Sequence, residues 1–199
     1  MQFAASFIEY LVTGSLALLW LVPLCHALRH NIVDILTKLS PFTIWTAILL
    51  ALVYVVGLML DFVAYTLMHG QRKAIRKELA DLDGRYKAAL KSRGIDHLAG
   101  NAFILYKAPE LAKTLAAYSS RDRIARGATL NFAIAAIVDA LILWSYPASL
   151  IVSAAFLALT CLAYFAWFRF QSQSWELKKE AVITILESGV RDSCTGRPA

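Results

Sequence analysis

The chain has 199 residues, 59% of them hydrophobic and 17% charged, with a formal net charge of +6. A soluble domain normally carries about 45–50% apolar and about 25% charged residues, so the composition excludes an ordinary water-soluble globule. The three cysteines, Cys25, Cys161 and Cys194, fit no metal-binding spacing and imply no disulfide framework.

The apolar excess lies in four long runs, each long enough to cross ~30 Å of hydrocarbon, which takes about 20 helical residues. The first runs from about Phe3 to Leu24 around the block Leu16–Val22. It lacks a basic leader, carries Glu9 and shows no small-residue cleavage step near Leu24–His30, so it is expected to be retained as a span and not removed as a secretion signal. Pro23 then leads into a short polar connection from Cys25 to Ser40. The second span begins near Pro41, a residue suited to the first turn of a helix, and continues to about Met68.

The segment after it is not a loose loop. Ile75, Leu79, Leu82, Tyr86 and Ala89 recur at alternating spacings of four and three, the seam of a coiled-coil-like helix. With only Gly70 as a breaker, the spacing predicts one helix from Pro41 to about Ser92, extending roughly 35 Å past a bilayer at 1.5 Å per residue. Gly94 and the stretch Ile95–Ala108 turn the chain. Pro109 opens a second helix, with Leu111, Leu115 and Tyr118 on one face, which passes through Arg126 into span three and ends at Trp144–Tyr146. After a turn at Pro147, span four covers Ala148–Phe168 and continues as a tail helix striped by Leu177, Ala181, Val182, Ile185 and Leu186. Three apolar stripes in one compartment are expected to pack together. Trp45, Trp144, Tyr146 and Trp167 fall near span ends, where amphipathic rings prefer the headgroup level.

Lys and Arg set the orientation. Residues 70–127 hold thirteen of them against six acids, whereas the first connection has Arg29 and Lys38 against Asp34, and the Pro147 turn has none. The expected fold is an all-α integral membrane protein with four transmembrane helices, the last three extended into a cytoplasmic helical bundle. It divides into transmembrane helices 1 and 2 (1–69), a cytoplasmic helical hairpin (70–127), transmembrane helices 3 and 4 (128–168), and a C-terminal cytoplasmic helix and tail (169–199). A bacterial inner membrane with both termini cytoplasmic is the expected setting.

Three carboxylates, Glu9, Asp61 and Asp139, lie in or near spans that contain no Lys or Arg. An ionised carboxylate at mid-bilayer costs ~2.5–3.5 kcal/mol on insertion scales, so each must be protonated, face water, bind a cation or reach an arginine at the boundary. Asp139 is the deepest, roughly 20 Å from Arg126 at helical rise. Asn131, Ala135 and Asp139 form a small and polar stripe on span three; Tyr54, Gly57, Asp61 and Tyr65 form another on span two, and Glu9 and Thr13 a pair on span one. Such stripes line permeation routes or mediate helix packing. Asp61, Asn131, Asp139, Tyr65 and Glu9 are therefore the candidate residues for either role.

Arg72, Lys73, Arg76 and Lys77 follow span two, and Arg121, Arg123 and Arg126 precede span three. These seven cations are candidate contacts for anionic lipid headgroups or a phosphorylated ligand. No glycine-rich phosphate loop accompanies them, and no nucleic-acid partner is expected. His26 and His30, four apart and next to Cys25, would share a helix face with Asp34 and could hold a metal, yet the pair reads as surface residues. His69 and His97 stand alone, so haem and other cofactors are not expected. Ser119–Asp122 reads as polar helix surface. No esterase, zinc-protease or P-loop motif is present, so an intramembrane enzyme ranks third, behind the two readings that follow. The polar stripes make a homo-oligomer forming a regulated ion-permeable pathway the first expectation. The alternative is a non-conducting anchor or accessory subunit that recruits a cytoplasmic protein partner through its helices.

Overall fold

The computed structural model describes residues 2–27, 42–92, 104, 106–142 and 147–194. Among the described residues there are six α-helices and no strand: α1 Gln2–Ala27, α2 Phe42–Leu67, α3 His69–Glu78, α4 Ala80–Ser92, α5 Pro109–Ile142 and α6 Pro147–Cys194. Stretches of α1, α2, α5 and α6 are long and apolar enough to cross a membrane.

Helix boundaries follow local chemistry. Pro109 and Pro147 open α5 and α6, where a missing N–H costs nothing and the fixed φ already suits the helix. Pro23, expected to end the first span, lies inside α1, which continues to Ala27. In an apolar setting, losing one backbone bond at a proline costs less than freeing a whole turn of polar groups. The single helix expected from Pro41 to Ser92 is instead three, broken at Met68 and Leu79. Hydrogen bonding persists at both breaks: Met68 N donates to Ala64 O at 3.0 Å, Leu79 N to Ile75 O at 3.1 Å and Asp83 N to Leu79 O at 2.8 Å. The i to i−4 pattern therefore runs through both interruptions.

The chain forms two compact units. The first comprises Met1–Met68 and Ser120–Trp167. Here α1 packs along α2. The inward face of α2 is Val53, Gly57, Leu60 and Ala64, at successive spacings of four, three and four. Gly14 of α1 and Gly57 of α2 make reciprocal backbone approaches. A Cβ on Gly14 would overlap Val53 O, and one on Gly57 would overlap Tyr10 O, so the helices lie as close as they do because both positions lack one. Tyr54 closes one end of this contact, stacked on Phe7 at 5.2 Å and meeting Tyr10 edge-on at 5.7 Å. In α5, Asn131, Ala135, Ala136 and Asp139 are buried, so the expected small and polar stripe of span three does face inward. Trp167, expected at an interfacial level, is fully buried. Large apolar side chains cover the rest of the unit's outside: Met59 is 63% exposed, Phe62 72%, Ile151 75% and Leu141 76%.

The second unit comprises His69–Ser119 and Phe168–Ala199. Its core joins Tyr86 and Leu90 of α4 to Ile104 and to Val182, Ile183 and Leu186 of α6, with Leu82, Ala89, Leu111, Ala112 and Leu115 packed around them. Members of the three sequence stripes thus meet in one cluster. Asp83 ties α4 to α6: its carboxylate meets Lys87 at 2.7 Å and the buried Lys179 at 2.9 Å. The Lys87 hydrogen bond, followed by that of Lys179, holds Asp83 below the usual carboxylate range. Lys179 also lies 5.1 Å from the centre of the Trp175 ring, an added attraction for a desolvated ammonium. Burial, with the Lys179 charge adding to it, pushes Lys178 below the ordinary lysine value, and burial raises Tyr86.

Candidate functional site

The polar residues of the first unit converge near one end of its apolar helices. Arg126, one α5 turn beyond Asp122, has a side chain only 4% exposed. Its Nε and Nη2 both donate to Asp61 Oδ1, at 3.1 and 2.5 Å, and its Nη1 donates to Asp122 Oδ2 at 3.4 Å. The Tyr65 ring lies 5.3 Å below the guanidinium carbon. Helical spacing explains the arrangement. Asp122 and Arg126 are four apart on α5, and Asp61 and Tyr65 are four apart on α2, so each helix presents two partners on one face.

A second pair lies on the α1 side. Arg123 Nε meets Glu9 Oε2 at 3.1 Å as an ion pair, with Glu9 almost fully buried and Arg123 partly open. One α1 turn further, Thr13 Oγ1 donates to Glu9 O at 3.1 Å. Thr13 O in turn accepts from Asn131 Nδ2 at 2.9 Å, and the same amide group donates to Gly127 O at 3.0 Å. Asn131 Oδ1 accepts from Trp20 Nε1 at 3.0 Å. Asn131 is fully buried and makes three hydrogen bonds, two of them to α1. Asp139 lies further along α5, where Ser153 Oγ of α6 donates to its Oδ2 at 2.7 Å.

Comparison with protein-family models, curated proteins and solved structures finds no match. The chemistry must therefore be read from this chain alone.

The structure gives each sequence-identified carboxylate a partner: Arg123 for Glu9, Arg126 for Asp61 and Ser153 for Asp139. It also divides the seven cations. Arg126 and Arg123 point to carboxylates within the first unit, and Arg121 is exposed. In the second unit Lys73 and Lys77 are exposed and Arg72 is half-buried. The side chain of Arg76 lies outside the described residues, as do those of His26, His30, Asp34, His97, Trp45, Trp144 and Tyr146, and residues 95–103 of the expected turn. Asp122 corrects the sequence reading. Taken there as polar helix surface, it is buried against Arg126. The i, i+4 spacing of Asp122 and Arg126 was the available signal. The Trp20–Asn131 bond joins residues 111 apart and has no local signature.

Beside Asp61 the first unit carries an open groove of about 540 Å³, lined by Tyr10, Leu58, Met59, Asp61, Phe62, Val63 and Tyr65. The second unit carries another of about 390 Å³, with Arg85, Ala88, Ser92 and Glu187 along its rim and Ala89, Ile183 and Leu186 beneath.

Proposed function

We propose that the chain is an integral membrane protein of four spans acting as a non-conducting anchor or accessory subunit, whose helical second unit recruits a protein partner. Membrane residence is supported by the large apolar side chains exposed along α1, α2, α5 and α6, since extended exposed apolar patches mark surfaces that another apolar phase covers. The positive-inside rule places the basic second unit and both termini in the cytoplasm of an inner membrane, with Lys73 and Lys77 toward anionic headgroups.

The observation that carries the anchoring role is the pairing of the polar side chains in the spans. A conducting path needs groups that exchange partners with water or an ion. Glu9, Asp61, Asn131 and Asp139 instead bind groups of the same unit, the ordinary use of polar residues as glue between membrane helices. This weighs against the homo-oligomeric ion pathway that the sequence placed first. For recruitment, the groove beside Ala88 offers an apolar floor with an Arg85 and Glu187 rim.

The test is purification of the tagged full chain from its own membranes in mild detergent. The expected result is carbonate-resistant membrane association, with a second polypeptide at fixed stoichiometry that Ala88→Trp removes. A clean homo-oligomer carrying no other chain would contradict recruitment, and extraction by carbonate would contradict membrane insertion.

A further inference from the structure

The groove beside Asp61 has a feature that helix packing does not use. Arg126 places both of its bonds on Asp61 Oδ1, and Oδ2 accepts no hydrogen bond from any described residue, although the side chain is only 15% exposed. Next to Asp61 the wall is apolar: Leu58, Met59 and Phe62, at 45%, 63% and 72% exposure, continue the outward face of α2.

The level of the groove follows from helix length. Phe42–Leu60 holds no charged residue, and its nineteen residues span about 28 Å at 1.5 Å per residue, close to the ~30 Å of hydrocarbon in a bilayer. Asp61 is the next residue. On the membrane reading, on which this inference rests, and with Phe42–Leu60 as the stretch in hydrocarbon, its carboxylate falls where acyl chains give way to headgroups. A molecule filling the groove must therefore be apolar along Leu58, Met59 and Phe62 and hydrogen-bond-donating at Asp61. A phosphate would be repelled there, and a quaternary ammonium has no N–H to give.

We propose that this groove holds one phospholipid whose head carries a primary ammonium, with an acyl chain along Leu58, Met59 and Phe62 and the ammonium on Asp61 Oδ2. The site is distinct from the lysines of α3, whose charge favours anionic heads without regard to shape.

The experiment places the full chain in nanodiscs containing equal amounts of ethanolamine and choline phospholipids with identical acyl chains. Lipids that stay with the released protein are then counted by native mass spectrometry. Phosphate and acyl chains are common to both lipids, so only the ammonium differs. The wild type should retain the ethanolamine lipid over the choline lipid by about tenfold, the factor one charge-assisted hydrogen bond supplies. Asp61→Asn keeps a carbonyl oxygen for Arg126 and should bring the two lipids to parity. Met59→Trp leaves the Asp61–Arg126 pair untouched, fills the groove, and should remove one bound lipid even if the Asn variant fails to insert. Parity in the wild type overturns the proposal, as does a preference that survives both substitutions. A wild-type chain absent from the nanodisc fraction overturns the membrane reading itself.

Discussion

Arg126 is held by two carboxylates and an aromatic ring, in a setting where no single partner could be lost cheaply. Removing one member of a buried ion pair leaves an uncompensated charge, which typically costs about 3–5 kcal/mol. Arg126→Ala is therefore expected to destabilise the first unit by about that amount, read as a lowered melting midpoint of the detergent-solubilised chain. Ala117→Gln, at an exposed position of the same helix, should stay within about 0.5 kcal/mol. If the two variants melt alike, the Arg126 hub is not a structural element. A different pair governs the acid response of the second unit. Asp83 has a folded-state pKa below its ordinary value, so its contribution is fully present above that ordinary value and fades as pH falls through the lowered one. Hydrogen-exchange protection over residues 175–187, taken relative to the intrinsic rate at each pH, should fall in that acid window in the wild type. In Asp83→Asn that fall should be absent, with protection already lower at neutral pH. An unchanged acid profile in the variant would remove Asp83 from the α4–α6 connection.

At the scale of elements, the α1–α2 contact depends on two glycines facing backbone carbonyls. A methyl group at Gly57 has no flexible neighbour to displace, because the atom it meets is Tyr10 O. Gly57→Ala must separate the helices, and overpacking of this kind costs about 1–3 kcal/mol. Gly84 of α4 has open space where a Cβ would go, so Gly84→Ala should stabilise the second unit by about 0.5–1 kcal/mol. Thermal unfolding of the two variants should shift in opposite directions; a shared direction would contradict the close approach. Elements were the most legible part of the sequence. The four apolar runs, the helix opened by Pro109 and the stripe of Asn131, Ala135 and Asp139 follow from composition and a period of 3.6, which are local properties. The extent of α1 beyond Pro23 and the interruptions at Met68 and Leu79 were less so. They depend on what surrounds the backbone, not on the residue that interrupts the pattern.

At the scale of the whole molecule, the pairing of charges was not legible, although every member had been noticed. Arg126 and Asp61 are 65 residues apart, and Arg123 and Glu9 lie on different helices. Their meeting depends on the register of three helices, which no periodicity encodes. Read singly, the arginines were headgroup contacts, and an arginine at the boundary was one of four outcomes open to each carboxylate, beside protonation, water and a bound cation. Read together they close on one another, and the motive for a conducting path weakens. The exposed apolar surface of the first unit and the net positive charge of the second are the features on which the proposed anchoring role rests.

The most direct test of this account is ion flux across proteoliposomes containing the purified full chain, with Asp139→Asn in parallel. An anchor whose span polar groups bind one another should leave the vesicles as tight as protein-free ones, in the wild type and in the variant alike. Flux carried by the wild type and altered by Asp139→Asn would place that carboxylate on a route through the membrane and contradict the account.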